Sequence, residues 1–486
     1  MTQRKQITSQ RRAKQAAKKQ SAARKKSGKQ SSGIKAQADF ADGERGVKPA
    51  LPSKSQVSEP QWVEIEKPVY GGAFLARPQG RTVFVPLTLP GEQARVRITR
   101  SKSGYAAAEP EEILRAAQQR ITPACPHFGA CGGCHYQHTD YATQLGFKQV
   151  ILRETLERGG AAVPAEIAVL RGEPWAYRNR VRLAFDAAGN PGYRGRRSHA
   201  VVPIRECPIA APLLVKAALA AAKVTRHFAP AFQPTEIALF CNPEETALLA
   251  TVFSASAPNL RFDEFALALQ AEIPELTGAE LAIEGSSERQ DQSFQPRSLA
   301  LWGASSLTYR AAGFDYRVDH GAFFQVNRWL VDSLVQRVVG GRRGSLAWDL
   351  FAGVGLFARQ LATSFARVVA VESAPSATAA LAANLSGTSG DAVNAETLAF
   401  LRRQNLSVKP ELVVVDPPRT GLGAQTCALL AEVAAAEMVY VSCDPATLAR
   451  DMRALIASGY QIESVTLADL FPQTFHLETV VQLRRA

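Results

Sequence analysis

Cys443 leaves the apolar run Val439-Tyr440-Val441-Ser442 and enters Asp444-Pro445, so a strand should deliver its thiol into a turn. Downstream, Phe471-Pro472-Gln473-Thr474-Phe475-His476-Leu477 leads into Glu478, and upstream Asp416-Pro417-Pro418-Arg419 ends another apolar strand. A thiolate can add to C6 of a uracil ring, which makes C5 nucleophilic enough to take a methyl group from a sulfonium. The C5 proton must then be removed and the thiol expelled. Glu478 is the candidate base, its carboxyl raised towards the useful range by burial. Two prolines stiffen the loop that carries Asp416 and Arg419, placing a carboxylate to orient a planar base and a guanidinium to reach phosphate. In Phe323-Phe324-Gln325-Val326-Asn327, the Phe323 ring could stack on a base turned out of its helix, beside an amide.

A sulfonium donor needs its own site, and Trp348–Phe357 reads as an apolar strand, a Gly353-Val354-Gly355 turn and the start of a helix. Glycines there let the backbone approach a ligand at the carboxyl edge of a parallel sheet. Asp349 lies in that strand, and Glu372 ends the next one, placed to bond ribose hydroxyls. Phe357 and Ala358 stand where a dinucleotide fingerprint has its third glycine, which favours S-adenosylmethionine over NAD. Asp391, after Gly390, is a weaker candidate for the adenine end.

Cys125, Cys131 and Cys134 form Cys-x5-Cys-x2-Cys, with Cys207 far downstream. Three close thiols around Gly132-Gly133 read as metal or cluster ligands in a reducing compartment, with a zinc site and an iron–sulfur cluster both open. Cys241 and Cys427 read as small core residues. Beyond the cysteines, alternation puts Arg178, Arg180 and Arg182 on one strand face, suited to a phosphate track with Tyr177 and Tyr193 for stacking.

Apolar content of 46% and charge of 21% over 486 residues suit several globular domains. The net charge of +13 is concentrated: residues 1–38 hold twelve Lys and Arg and no acid, leaving the rest near +1. Such a segment is expected to stay disordered, and to serve as a phosphate-binding arm or a solubilising one. Lys216 and Glu432 interrupt the two most Ala-rich runs, so no membrane span is expected, and the protein reads as cytoplasmic.

Trp62 to about Glu112 holds two short alternating strands (Trp62–Glu66 and Arg95–Ile98) with an apolar strand, Thr82–Leu87, between them, and should form an OB-like barrel, a frequent RNA binder. Tyr136–Arg158 reads as an amphipathic helix. A mixed segment follows, with strand Arg180–Phe185 and helices at 211–224 and 262–272. From Val331–Val339 onwards, helices alternate with strands Ser345–Phe351, Arg367–Glu372, Leu412–Asp416 and Met438–Ser442, as in a doubly wound sheet. The fold class is multidomain α/β. Its expected parts are a basic tail and linker (1–58), the barrel (59–116), a central α+β domain with the cysteines (117–320) and a Rossmann-like methyltransferase domain (321–486). The 136–158 helix is placed to pack on the last of these.

Taken in order, Asp416-Pro417-Pro418-Arg419-Thr420-Gly421, Val439–Thr447, Asp469–Glu478 and Phe323–Asn327 make the chain resemble the RNA uracil-C5 methyltransferases from about residue 60 to the end. The resemblance implies that Cys443 is the nucleophile and Glu478 the proton-abstracting base. It implies cofactor contacts at Gln325, Gly353, Glu372 and Asp416, and base stacking on Phe323. Barrel plus cysteines is similar to the large-subunit ribosomal RNA subgroup, with a TRAM domain and a [4Fe-4S] cluster on Cys125, Cys131, Cys134 and Cys207. It further implies 23S ribosomal RNA as partner, with no obligate protein partner; a transfer-RNA enzyme and a non-catalytic RNA-binding or assembly factor are the alternatives. One departure stands beside the nucleophile: the family commonly has Asn where this chain has Asp444, whose charge could raise the thiol pKa unless it is hydrogen-bonded.

Overall fold

The computed structural model describes residues 59–229, 232–258, 261–283, 297–404 and 407–485. The basic tail and linker, residues 1–58, lie outside the described residues. Among the described residues, 59–117 form one compact unit and those from Gln118 a second.

In the first unit, β1 (Gln61–Val69), β2 (Ala73–Ala76), β3 (Thr82–Pro86), β4 (Gln93–Lys102) and β5 (Tyr105–Arg115) close into a barrel in the order β1-β2-β3-β5-β4. Alternation sets its inside: Val63 and Ile65 are buried while Trp62, Glu64 and Glu66 point outward. The fully buried Glu92 accepts from the Leu89 and Ala117 N–H groups, which fixes the turn before β4.

The second unit begins with the cysteine-bearing loops and α1 (Tyr141–Arg158). The helix starts later than Tyr136 because Asp140 caps it, its carboxylate accepting from Thr143 N–H at 2.9 Å. Next comes β6 (Ala168–Leu170), followed by a mixed sheet of β7 (Arg180–Phe185), β8 (Pro191–Arg194), β9 (Val201–Pro203), β10 (Glu236–Cys241), β11 (Leu248–Ser254), β12 (Leu276–Ile283) and β13 (Arg297–Gly303). Helices α2 (Pro212–Phe228) and α3 (Phe262–Glu272) cover one face, burying Val181, Leu183, Leu214, Phe232 and Phe265. A hairpin, β14 (Ser306–Ala311) with β15 (Phe314–Asp319), leads to the last region.

There, α4 (Val331–Val339), β16 (Gly344–Leu350), α5 (Leu356–Leu361), β17 (Phe365–Glu372), α6 (Pro375–Leu385), β18 (Gly390–Asn394), α7 (Thr397–Arg402), β19 (Leu412–Val415), α8 (Gly423–Val433), β20 (Glu437–Ser442) and α9 (Pro445–Ala457) alternate. Antiparallel β21 (Tyr460–Ala468) and β22 (Glu478–Arg485) complete a sheet ordered β18-β17-β16-β19-β20-β22-β21-β6. Its core strands are buried on both faces, which explains continuous runs such as Leu412-Val413-Val414-Val415.

The expected boundary near residue 320 does not separate compact units. Strand β6 pairs in parallel with β21 and joins the last sheet as its edge, and α1 packs on α9. Phe240 and Leu249 of the mixed sheet share a core with Tyr309, Phe324 and Val331. Among the described residues, no helix is long and apolar enough to cross a membrane.

Candidate active site

Parallel strand order reverses between β16 and β19, and a crevice opens outside the carboxyl ends of the strands at such a point. Phe351, Glu372, Asp416 and Cys443 all leave strands at this edge. Because β22 runs antiparallel, its first residue, Glu478, reaches the same edge. Ser442 pairs with Thr479, so continuing the ladder by one step sets Cys443 opposite Glu478.

The turn after β16 is tightly wound. Gly353 (φ +57°) and Gly355 (φ +91°) use the left-handed region, where a Cβ is costly. A side chain at Gly355 would meet Leu381 at 2.8 Å, whereas Gly353 faces open space. Phe351 takes φ +66° without being a glycine, strain of the kind that clusters at ligand sites. Glu372 braces the turn: one oxygen accepts from Gly353 N–H at 2.8 Å, the other from Ser373 and Ala374 N–H at 2.7 Å each. A carboxylate has roughly four acceptor positions, so capacity remains for a hydroxyl.

Behind the turn, Asp349 is fully buried and neither of its oxygens has a hydrogen-bond partner. Burial pushes its carboxyl up to about 8, partly offset by the nearby Ala358 N–H and reinforced by Asp416 and Glu372. Burial likewise pushes Asp416 up to about 7. Gln325 Nε2 donates to Asp416 at 3.5 Å, which ties the Phe323–Asn327 loop to the crevice. In that loop Phe324 is buried in the core, while Phe323 is 57% exposed, a free ring face. Asp391 does not belong here. It pairs with Val369 inside the β17–β18 ladder, three residues short of the edge where Glu372 meets Asn394, and forms an ion pair with Arg367.

Around the thiol, burial pushes Cys443 up to about 12, the Glu478 and Asp416 carboxylates add to this, and Arg419 opposes it. Glu478 is raised well above the usual carboxylate range, first by burial and then by Asp416, with Arg419 again opposing. Arg419 also lies 3.5 Å from His476 Nδ1. Asp444 acts on the thiol less than burial, Glu478, Asp416 or Arg419. Its carboxylate caps α9, accepting from Ala446 and Thr447 N–H at 2.9 Å each. Asn and Asp are equally good caps, so the departure at this position keeps the capping geometry and spends the charge on the helix N-terminus.

Two of the three arginines, Arg178 and Arg180, are turned onto the protein, while Arg182 is half exposed. Arg178 precedes β7 and turns towards Tyr177, donating to its hydroxyl at 3.4 Å. Arg180 stacks on Phe240 and donates to the Ala322 carbonyl at 2.6 Å, and burial pulls its guanidinium down to about 10. Arg182 pairs with Glu236 over the Phe253 ring. Asn179 donates to the Gln325 carbonyl at 2.9 Å. This stretch therefore supports the Phe323–Asn327 loop from behind.

Cys125, Cys131, Cys134 and Cys207 are free and partly buried. Their thiols sense one another: Cys207 adds to the upward push that burial exerts on Cys125, Cys131 and Cys134. Among the described residues, no three His, Cys, Asp or Glu side chains stand in a metal-holding arrangement.

Residues that the sequence reading missed hold the turn before Glu478. Lys148 and Asp469 form an ion pair with both side chains inaccessible to water, and Gln144 and Gln473 exchange hydrogen bonds. One signal was available: Gln144 and Lys148 recur at i, i+4 with Ile151, Leu152 and Leu156 on the buried face of α1.

A family profile described as tRNA (Uracil-5-)-methyltransferase matches residues 304–486, and one for the TRAM domain matches residues 54–110. A Streptomyces avermitilis protein called an uncharacterized RNA methyltransferase is 33% identical over 87% of this chain and 98% of its own. The 23S rRNA (uracil(1939)-C(5))-methyltransferase RlmD of an Azoarcus species is also 33% identical, over 87% of this chain and 99% of its own. The chain belongs to the RNA uracil-5-methyltransferase family. Like other members, it is an RNA-methylating enzyme, and its barrel is a TRAM domain. The fold is shared with the Pyrococcus abyssi tRNA (uracil-54, C5)-methyltransferase solved in complex with S-adenosyl-L-homocysteine. That structure matches with a TM-score of 0.69 at 22% identity, covering 87% of this chain and 99% of the other.

Proposed function

We propose that this enzyme methylates C5 of a uridine in 23S ribosomal RNA through a covalent Cys443 adduct. The β20–β22 register, which sets Cys443 opposite Glu478 at the Asp416 edge of the sheet, carries the reading. S-adenosylmethionine supplies the methyl group on a positively charged sulfur. The open space at Gly353 and the unpartnered Asp349 carboxyl fit such a cation-bearing ligand, with Gln325, Gly355, Glu372 and Asp416 around it. Phe323 stacks on the turned-out base, and Arg419 faces its phosphate.

Cys443, once deprotonated, bonds to C6 of the uracil, and the electron pair displaced from the C5–C6 double bond leaves C5 nucleophilic. C5 takes the methyl group as the sulfur–methyl bond breaks, the donor leaving as the neutral thioether S-adenosylhomocysteine, and C5 then carries both the methyl group and its original proton. Glu478 removes the proton, the C5–C6 double bond reforms, and the C6–sulfur bond breaks to free Cys443. Burial and neighbouring carboxylates raise both Cys443 and Glu478, so an arriving positive charge favours ionisation of both.

The finer part of the proposal is a [4Fe-4S] cluster on Cys125, Cys131, Cys134 and Cys207, which rests on the residue types, their spacing and the family resemblance, since these side chains do not stand in a metal-holding arrangement here. It would tie the loops together and has no step in methyl transfer. Iron and acid-labile sulfide in anaerobically purified protein test it; zinc in their place overturns it.

Mapping of 5-methyluridine in 23S ribosomal RNA from cells lacking this protein tests the main reading. One modified position should disappear and return with the wild-type gene but not with Cys443→Ala. Loss confined to transfer RNA would transfer the assignment there, and no loss would overturn it.

A further inference from the structure

The turn between Ala468 and Glu478, which are the last paired residues of the β21–β22 hairpin, is held from outside at nearly every step. Lys148 Nζ donates to Asp469 Oδ1 at 2.5 Å and to the Phe471 carbonyl at 2.9 Å. Asn327 donates to the Leu470 carbonyl at 3.2 Å, and the Tyr177 hydroxyl to the Pro472 carbonyl at 3.0 Å. Gln473 adopts φ +67° and receives the most: its carbonyl accepts from His135 and Tyr136 N–H, while its own N–H and side chain pair with the Gln144 amide. Two buried polar side chains on one helix, Gln144 and Lys148, thus reach a turn more than 300 residues away in sequence, as the separations of 329 and 321 record.

A buried ion pair is a costly way to hold a loop when apolar packing could serve, and its removal from one side leaves a charge without a partner. What it supplies that packing does not is a fixed address for particular atoms. From this geometry we infer that Lys148 and Gln144 are positioning residues for proton abstraction, locking the Asp469–Gln473 turn so that Glu478 meets the C5 proton. The inference rests on the covalent mechanism above, and it separates two steps. Nucleophilic attack and methyl transfer depend on Cys443, at the end of β20; resolution of the adduct depends on Glu478, which opens β22 directly after the clamped turn.

Lys148→Met and Gln144→Ala in the full-length protein, assayed with ribosomal RNA lacking 5-methyluridine, test this beside Glu478→Gln. The expected result for Lys148→Met is a fall in kcat of about tenfold to hundredfold, the scale set by ångström-level misplacement. KM for RNA should stay near wild type, and a methyl-labelled, denaturation-resistant protein–RNA adduct should accumulate. A merely structural role would lower adduct and product together, and that result, or unchanged turnover, overturns the inference. If Lys148→Met fails to fold, Gln144→Ala is read by the same criteria. An adduct with Glu478→Gln but none with the clamp variants sinks the clamp alone; no adduct with Glu478→Gln sinks the covalent reading and the clamp with it.

Discussion

Ser442 and Thr479 are paired across antiparallel β20 and β22, so the residue leaving one strand, Cys443, faces the residue entering the other, Glu478. Antiparallel insertion of β22 beside a parallel strand is what brings a strand start and a strand end to one edge. A nucleophile and a base are thereby placed by backbone register, the least adjustable feature of a sheet.

Arg419 is the cation that offsets the carboxylates around both groups. Arg419→Gln should therefore raise the pKa of Cys443 and of Glu478 further. Adduct formation needs the thiolate, so its single-turnover pH–rate profile should move to higher pH, with a lower rate at pH 7. A profile that stays in place would mean that the Arg419 charge does not govern the thiol.

Asp444 separates charge from capping. Because its carboxylate already accepts two N–H bonds from α9, Asp444→Asn should leave both folding stability and the adduct-formation profile close to wild type. Asp444→Ala removes the cap and should cost about 1 kcal/mol in chemical denaturation. A large acceleration by the Asn variant would show that the native carboxylate restrains the nucleophile after all.

Motif residues were legible in the sequence because each is a chemical singularity: a thiol between Ser442 and Asp444, two prolines after Asp416, two glycines after a buried strand. The βα alternation from Val331 was legible for the same reason that it folds, since a parallel sheet demands apolar runs spaced by helices. Harder was anything decided by what covers a face. Period-two alternation correctly puts Arg180 and Arg182 on one side of β7, but it cannot say that Phe240, Ala322 and Glu236 already occupy them. Asp391 was misread because a strand boundary shifted by a few residues moves a side chain from the sheet edge into the ladder. Lys148 was missed because its partner, Asp469, is 321 positions away, and long-range pairing of two charges leaves no local trace.

Phe323 and Phe324 are adjacent but opposite in role, since one is exposed and the other buried against Tyr309. Phe323→Ala should leave the thermal midpoint nearly unchanged. It should lower kcat/KM by roughly 5- to 150-fold, matching the 1–3 kcal/mol of one base–aromatic stack. Phe324→Ala should instead unfold or strongly destabilise the protein, by about 3–5 kcal/mol. Equal activity losses with intact folding in both variants would remove Phe323 from the base-binding role.

Asp349 gives the site a pH signature in stability. The unfolded carboxyl loses its proton near 3.8, whereas burial holds it in the folded protein up to about 8. Between those values the folded state binds more protons, so stability contributed at low pH is lost as pH rises through the window. Asp349→Asn, neutral throughout, should flatten that decline. At pH 8 it should be more stable than wild type in urea unfolding, because it has no proton to lose across that window. Near pH 4 the two should converge. The same substitution should weaken S-adenosylmethionine binding, because the buried, unpartnered Asp349 carboxyl is a group that a cationic ligand would satisfy. A variant that gains stability at pH 8 and binds the cofactor as tightly as wild type would make Asp349 a structural liability with no part in cofactor binding.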